Sequence, residues 1–355
     1  MGPRRSTLIT APLVGLVGLS GLAGCDHGTK APAAAKVAAP ATPRTAAFRV
    51  VYRVDDTAGP QLQVSTDVVQ VAEPWNGLLE HRDGPPPGTT LLSSTVQNDR
   101  FTFNTAQGST GFATRRIPGA LTTAPSPEAL EAAAAAGLVE RSGDATVAGE
   151  PCTRWTYKAA NAVLAKGTPE EHVESCLTAD GVPLREAITL RGRVVRVAEA
   201  VQVDRNPPVT ADTFQTGRDP GDGGGQALLE TEQQVTEGAR SGQAIVPVAA
   251  PEGFRVTRQV TVDRQAGENS APIKLYVQAF ESGADLVTTE QVTTPGSPPW
   301  STDEGQSVDL GAKRTGRVVY RTGWAEVRVT LGDKSVRVTS ARPAVALAVA
   351  RSLRV

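Results

Sequence analysis

The sequence is 355 residues long, with 36 Lys and Arg against 37 Asp and Glu, a formal net charge of −1 and no block of like charge. That balance excludes a nucleic-acid partner on electrostatic grounds, and 7 Phe, 4 Trp and 4 Tyr are too few to build stacking platforms for single strands. The length asks for two domains, whose cores have to be made chiefly of Val, Leu and Ala.

At the N-terminus, Arg4 and Arg5 precede an apolar stretch from Leu8 to Leu22, closed by Ala23 and Gly24. This is the build of a secretory signal. At about 15 residues, and broken by glycines, the stretch falls short of the ~20 that a membrane-spanning helix needs. The run Leu22-Ala23-Gly24-Cys25 resembles the lipobox of bacterial lipoproteins, in which an aliphatic residue and two small residues precede a cysteine. The resemblance implies that residues 1–24 are removed and that Cys25, diacylated on sulfur with palmitate-type chains, becomes the first residue of the mature chain. The covalent diacylglycerol on Cys25 is then the only attached group expected, with no dissociable cofactor. It places the protein on the extracytoplasmic face of the cell membrane. Two acyl chains hold stably where one holds marginally, because each buried methylene contributes about 0.8 kcal/mol. Residues 25–47 continue as an Ala- and Pro-rich tether that cannot bury enough apolar surface to offset its ordering entropy.

From Phe48 to Phe214 the pattern has period two. In FRVVYRV, Phe48, Val50, Tyr52 and Val54 share one face while Arg49 and Arg53 take the other. Similar alternation recurs in LQVSTDVVQVA, RFTFNT, CTRWTYKA, LREAITLRG and RVVRVAEAVQVD, with turn chemistry at Asp83-Gly84-Pro85, Asp180-Gly181 and Arg191-Gly192-Arg193. The expectation is an antiparallel meander with one wet face. One stretch, SPEALEAAAAAGL, departs from it: Ser126 can cap, Pro127 suits a first turn and Gly137 can end a helix. A second helix within 74–92 or 117–140 is compatible with the same sequence. Cys152 and Cys176, two thiols in one exported domain, read as a disulfide. A metal site built on them lacks donors, since His172 supplies only a third ligand and no CxxC hook is present.

The meander with one helix, carried on a lipidated exported chain and containing VAGEPCTRWTYKA, CLTADGVPLREAITLRGRVVRVAEAVQVDRNPP, resembles the LolA/LolB lipoprotein-carrier superfamily and its LppX/LprG-like and RseB-like relatives. The resemblance covers residues 48–217. It implies a large curved antiparallel sheet, a half-barrel whose concave side holds acyl chains or another apolar ligand, and no catalytic residue. Strand parity nominates Val50, Tyr52, Val54, Val64, Val68, Phe101, Phe103, Trp155, Tyr157, Leu184, Ile188, Val195, Val197 and Val201 as cavity lining. The same residues could equally pack against the helix as an ordinary core.

Residues 218–243 open with a Gly- and Asp-rich linker whose GDGGG lacks the Lys-Ser/Thr ending of a phosphate loop. A short polar helix is expected over 227–239. From 244 to 355 alternating strands, a Gly332-Asp333 hairpin and a closing helix at 343–353 read as a small α+β domain. Pro343 suits that helix's first turn, and Ala346, Val349, Ala350 and Leu353 share one face. This part resembles the C-terminal domain of RseB-type regulators, which implies a membrane-bound regulator protein as partner. The whole is thus α+β, a half-barrel followed by a smaller domain, and the Ala-, Arg-, Gly- and Val-rich composition is that of a high-GC, actinobacterial genome.

Catalysis is not expected. Besides His27 of the tether only His81 and His172 are present, with no G-x-S-x-G, S-x-x-K or H-E-x-x-H near them. The acid pairs Asp55-Asp56, Glu170-Glu171 and Asp303-Glu304 fall in turns, although acids paired from separate strands leave no mark in a sequence. Two functions remain open: a carrier that binds a lipid or other hydrophobic ligand, and an envelope sensor acting on a membrane partner.

Overall fold

Adjacent β-branched residues and short polar turns dictate long paired strands. In the structure, a computed structural model, they form two antiparallel sheets. Residues 45–72, 74, 76–98, 101–108, 112–115, 125–160, 163–210, 212–214, 231–234, 248–264, 273–292, 300 and 304–353 are described. Cys25, the signal and nearly all of the tether lie outside them.

The first sheet is two meanders laid side by side. Strands β1 (Ala47–Asp56), β2 (Gln63–Ala72), β3 (Asn76–Asp83), β4 (Thr90–Gln97), β5 (Phe101–Ala106) and β6 (Phe112–Arg115) make one. After helix α1 (Pro127–Ala135) come β7 (Glu140–Val147), β8 (Glu150–Ala160), β9 (Val163–Ala165), β10 (Glu171–Leu177), β11 (Pro183–Leu190) and β12 (Arg193–Asp204). The order β6-β5-β4-β3-β2-β1-β12-β11-β10-β8-β7 pairs the first strand with the last, and β9 adds to β8. The sheet is curved and unclosed, with β6 and β7 at its ends. Within 74–92, where a second helix was compatible with the sequence, residues 76–83 and 90–92 are strand; in 117–140 the described residues hold α1 alone as helix, and 117–124 lie outside the described residues.

The pairing of β1 with β12 is interrupted by a bulge: Val51 lies opposite Gln202, and Tyr52 opposite Ala200. The extra residue, Val201, reverses the parity of β12 relative to β1. Cys152 and Cys176 are joined as a disulfide, packed with Phe48, Val50, Tyr52, Val54 and Leu184. Beside it the chain enters the fold. The Thr45 amide donates to the Asp180 carbonyl at 3.1 Å and its hydroxyl to the Asp180 carboxylate, while Arg205 pairs with both Asp180 and Glu150.

Helix α1 begins as its capping residue requires. Ser126 Oγ accepts from the Ala129 amide at 3.3 Å, Pro127 stands in the first turn, and Gly137 beyond the end takes φ 74°. Its buried face, Ala129, Leu130 and Ala133, does more than lie along the first sheet. Leu130 and Ala133 belong to a core that runs from Trp155, Tyr157 and Leu164 of the first sheet to Phe280, Val318 and Val338 of the second.

That second sheet contains β13 (Thr231–Gln234), β14 (Arg255–Arg264), β15 (Ile273–Ser282), β16 (Asp285–Val292), β17 (Gln306–Gly311), β18 (Arg314–Tyr320), β19 (Ala325–Leu331) and β20 (Lys334–Ser340), closed by helix α2 (Pro343–Ser352). Its order is β13-β14-β15-β16-β20-β19-β18-β17. The Gly332-Asp333 hairpin joins β19 to β20, and Ala346, Val349, Ala350 and Leu353 are fully buried on the face that helical spacing marks. The polar helix expected over 227–239 is corrected at Thr231–Gln234. These four residues pair with Asp263 to Val260 of β14, so edge-strand hydrogen bonding overrides their helical propensity. The boundary at 218–243 therefore divides the sequence without dividing the core.

The opposite face of the second sheet is polar and yet buried. Arg317, Arg328 and Arg337 stand directly opposite one another across β18, β19 and β20. Such a row of like charges is unfavourable unless acids intervene. Glu326 pairs with Arg321 at 2.7 Å and Arg328 at 2.9 Å, Glu290 with Arg337 at 2.6 Å, and the Arg337 guanidinium lies 5.0 Å from the Trp300 ring centroid.

Candidate functional site

Cross-strand register gathers one row of side chains on the inner face of the first sheet. Phe48 faces Val71, Val71 faces Gly77 and Gly77 faces Gln97. One row on, Val50 faces Val69, Val69 faces Leu79 and Leu79 faces Thr95. Gly77 carries no side chain and Leu79 is 43% exposed, so the rows do not close over. What results is a cavity of about 350 Å³. Phe48, Tyr52, Val69, Val71, Leu79 and Ala198 give it an apolar lining, Tyr157 adds to it from β8, and Pro125 and Thr322 reach it from the α1 lead-in and the β18–β19 loop. A volume of this order lies at the lower end of the range for small-molecule pockets.

Charge enters at one wall. Asp67 follows the apolar alternation of β2 and faces Tyr52. Its two carboxylate oxygens are taken by His81 Nδ1 at 2.7 Å and Arg196 Nη2 at 2.9 Å. Arg196 also reaches Glu186 at 3.2 Å, and Arg185 holds Glu174 at 2.6 Å and Glu199 at 3.2 Å. The two tyrosines are anchored by their hydroxyls, Tyr52 donating to the Pro183 carbonyl at 2.6 Å and Tyr157 bonded to Ser175 at 2.7 Å. Burial, then the Glu186 and Asp67 carboxylates, push the Tyr52 phenol up. Burial also raises Tyr157, partly opposed by its Ser175 hydrogen bond and reinforced by Glu186.

Of the residues nominated by parity, Tyr52 and Tyr157 line the cavity. Val50, Val54 and Leu184 are fully buried around the disulfide, and Trp155 lies in the core shared with the second sheet. Phe103 is buried on the other face, since its neighbour Asn104 pairs with Thr95. Phe101 opens β5, and its side chain falls outside the described residues. Ile188 is half-buried and off the cavity. Val195 and Val197 are likewise half-buried and point away, because Arg196 and Ala198 take the inward positions of β12; Val201, the bulge residue, is 51% exposed. In β2 the inward set is Asp67, Val69 and Val71 rather than Val64 and Val68. The missed signal is a lone acid, Asp67, in an otherwise apolar alternation.

The residues considered for catalysis are engaged in structure. Asp55 pairs with Arg53 at 3.0 Å, Asp56 accepts from the Ala58 amide, and His172 bonds the Thr168 carbonyl at 2.9 Å. Among the described residues no three His, Cys, Asp or Glu side chains gather closely enough to hold a metal, and no helix is long and apolar enough to cross a membrane.

No protein-family model matches the chain, and no curated protein sequence matches it. Among solved structures it is similar to MucB of Pseudomonas aeruginosa in complex with MucA, at 16% identity over 87% of this chain and 93% of that one, with a TM-score of 0.32. A crystal structure of MucB is similar at 15% identity, over 88% and 93% of the two chains, with a TM-score of 0.29. PNGF-II is similar at 8% identity over 83% and 66%, with a TM-score of 0.30. At these values the likeness carries no functional inference.

Proposed function

We propose that this chain is an extracytoplasmic lipoprotein that binds a lipid or other hydrophobic ligand in the half-barrel cavity and acts by binding rather than by catalysis. The observation that carries the reading is the apolar cavity itself. Protein interiors close-pack, so about 350 Å³ of space walled by Phe48, Val69, Val71 and Leu79 is a feature of the fold and not slack. Its size suits one acyl chain rather than a whole diacyl lipid. The lipobox at Leu22–Cys25 supports membrane attachment through a diacylglycerol on Cys25.

Native mass spectrometry of the chain carrying Cys25→Ala tests the reading. A bound apolar molecule is expected, and Val69→Trp, which fills the space, is expected to abolish it. An empty chain that also fails to take up added monoacyl lipid overturns it.

A second reading, regulation of a membrane partner through residues 244–355, is favoured by one contact. Thr322, on the β18–β19 loop of the second sheet, lines the cavity, and Ser126 ties α1 to the Thr322 carbonyl at 2.8 Å. A ligand in the cavity therefore touches both sheets. Capture of a regulator by the whole chain that changes when lipid is added supports this reading.

A further inference from the structure

The wall of charge limits which head group can accompany an acyl chain into the cavity. Both guanidiniums that line it among the described residues are already held by two carboxylates each, Arg196 by Asp67 and Glu186 and Arg185 by Glu174 and Glu199. A carboxylate or phosphate head group would have to compete with these acids for guanidiniums whose charge is already offset. It would also meet the Asp67 and Glu186 carboxylates of the lining, both of which reach the Tyr52 phenol and the second of which reaches Tyr157. His81 offsets one of those negative charges only when protonated.

A cationic head group fares no better. The charged side chains that line the cavity balance, Asp67 and Glu186 against Arg185 and Arg196, so a cation gains no net attraction there and gives up part of its hydration on entry. Neutral polar groups remain. Thr95 donates its hydroxyl proton to Asn104 at 2.8 Å, which leaves its oxygen as an acceptor facing the cavity, and Gln97 brings an amide to the same wall.

We propose that the cavity selects a single-chain amphiphile with an uncharged, hydroxyl-bearing head group, because the paired Asp67–Arg196–Glu186 wall refuses a net charge while Thr95 and Gln97 accept hydroxyls. The proposal rests on the acyl-chain reading and sharpens it.

The test uses the chain carrying Cys25→Ala, with displacement of the neutral fluorophore N-phenyl-1-naphthylamine at neutral pH by three ligands that share one dodecyl-length tail: glycerol monolaurate, laurate and dodecylamine. Glycerol monolaurate is expected to displace the probe at about tenfold lower concentration than either charged ligand, a difference of roughly 1.4 kcal/mol. Laurate or dodecylamine competing as well as the monoester overturns the head-group selection and leaves the cavity reading intact. If neither the probe nor any of the three binds, the cavity reading itself falls. Glu186→Gln provides the second arm. Its side chain is 45% exposed, so folding is not at stake, and releasing one side of Arg196 is expected to improve laurate about tenfold relative to the monoester. An unchanged ratio overturns the role of the ion pair.

Discussion

Ser126 Oγ donates to the Ala341 carbonyl at 2.6 Å, across 215 positions of sequence, while accepting from the Ala129 amide three residues on. One hydroxyl thus caps α1 and pins it to the loop that leads into α2. Ser126→Ala removes the cap and leaves the buried Ala341 carbonyl without this partner. A loss of about 2–3 kcal/mol is expected, read as a lower urea midpoint with unchanged slope. A loss below about 0.5 kcal/mol would show that the contact is incidental.

The disulfide encloses the turn between β8 and β10, with 24 residues of sequence separation. On the chain-entropy model its removal costs about 3–4 kcal/mol. Denaturation of the Cys152→Ala/Cys176→Ala chain, compared with the parent in the absence of reductant, checks this. The double variant is used because a single one would leave a reactive thiol in the core.

Glu326 makes stability depend on acid. Burial alone would raise its carboxyl, but the Arg337, Arg321 and Arg328 guanidiniums outweigh that and hold it below the ordinary carboxylate range. With the folded value below the unfolded one, its contribution is complete above the unfolded pKa, near 4.3, and is lost as pH falls through the folded value. Thermal melts from neutral pH to about pH 2 should show that loss. Glu326→Gln should flatten the acid limb and, by leaving three arginines short of an acid, lower stability at neutral pH by about 3 kcal/mol.

The β17–β18 hairpin turns on Ala312 and Lys313, both left-handed at φ 51° and 60° with no glycine at either central position. Each non-glycine residue there costs about 1 kcal/mol. Lys313→Gly is expected to stabilise the chain by up to that amount, measured by the denaturation midpoint, with the unfolded-state entropy of glycine setting the shortfall.

Much of the architecture was legible because it is local. Period-two alternation announced the strands, Ser126-Pro127 and Gly137 bracketed α1, and the Ala346–Leu353 spacing marked the buried side of α2. The cavity was less so. Val50-Val51, Val68-Val69 and Val194-Val195 are apolar in both registers, so alternation could not say which member faces inward. The bulge at Val51/Tyr52 then reversed β12, which exchanged Val195 and Val197 for Arg196 and Ala198. The core shared through α1 joins Trp155 to Val318 and Val338, contacts too distant in sequence for any pattern to encode. At Thr231–Gln234 a polar tetrapeptide took its structure from its neighbour β14 rather than from its own composition.

Where Thr45 is fastened governs how a pull from the N-terminal side is received. The load passes through the Thr45 amide and hydroxyl into Asp180 and Arg205, next to the Cys152–Cys176 crosslink. Force applied at Thr45 is therefore received beside a covalent brace on the β10–β11 side of the sheet, several strands from the Val69 and Leu79 walls of the cavity.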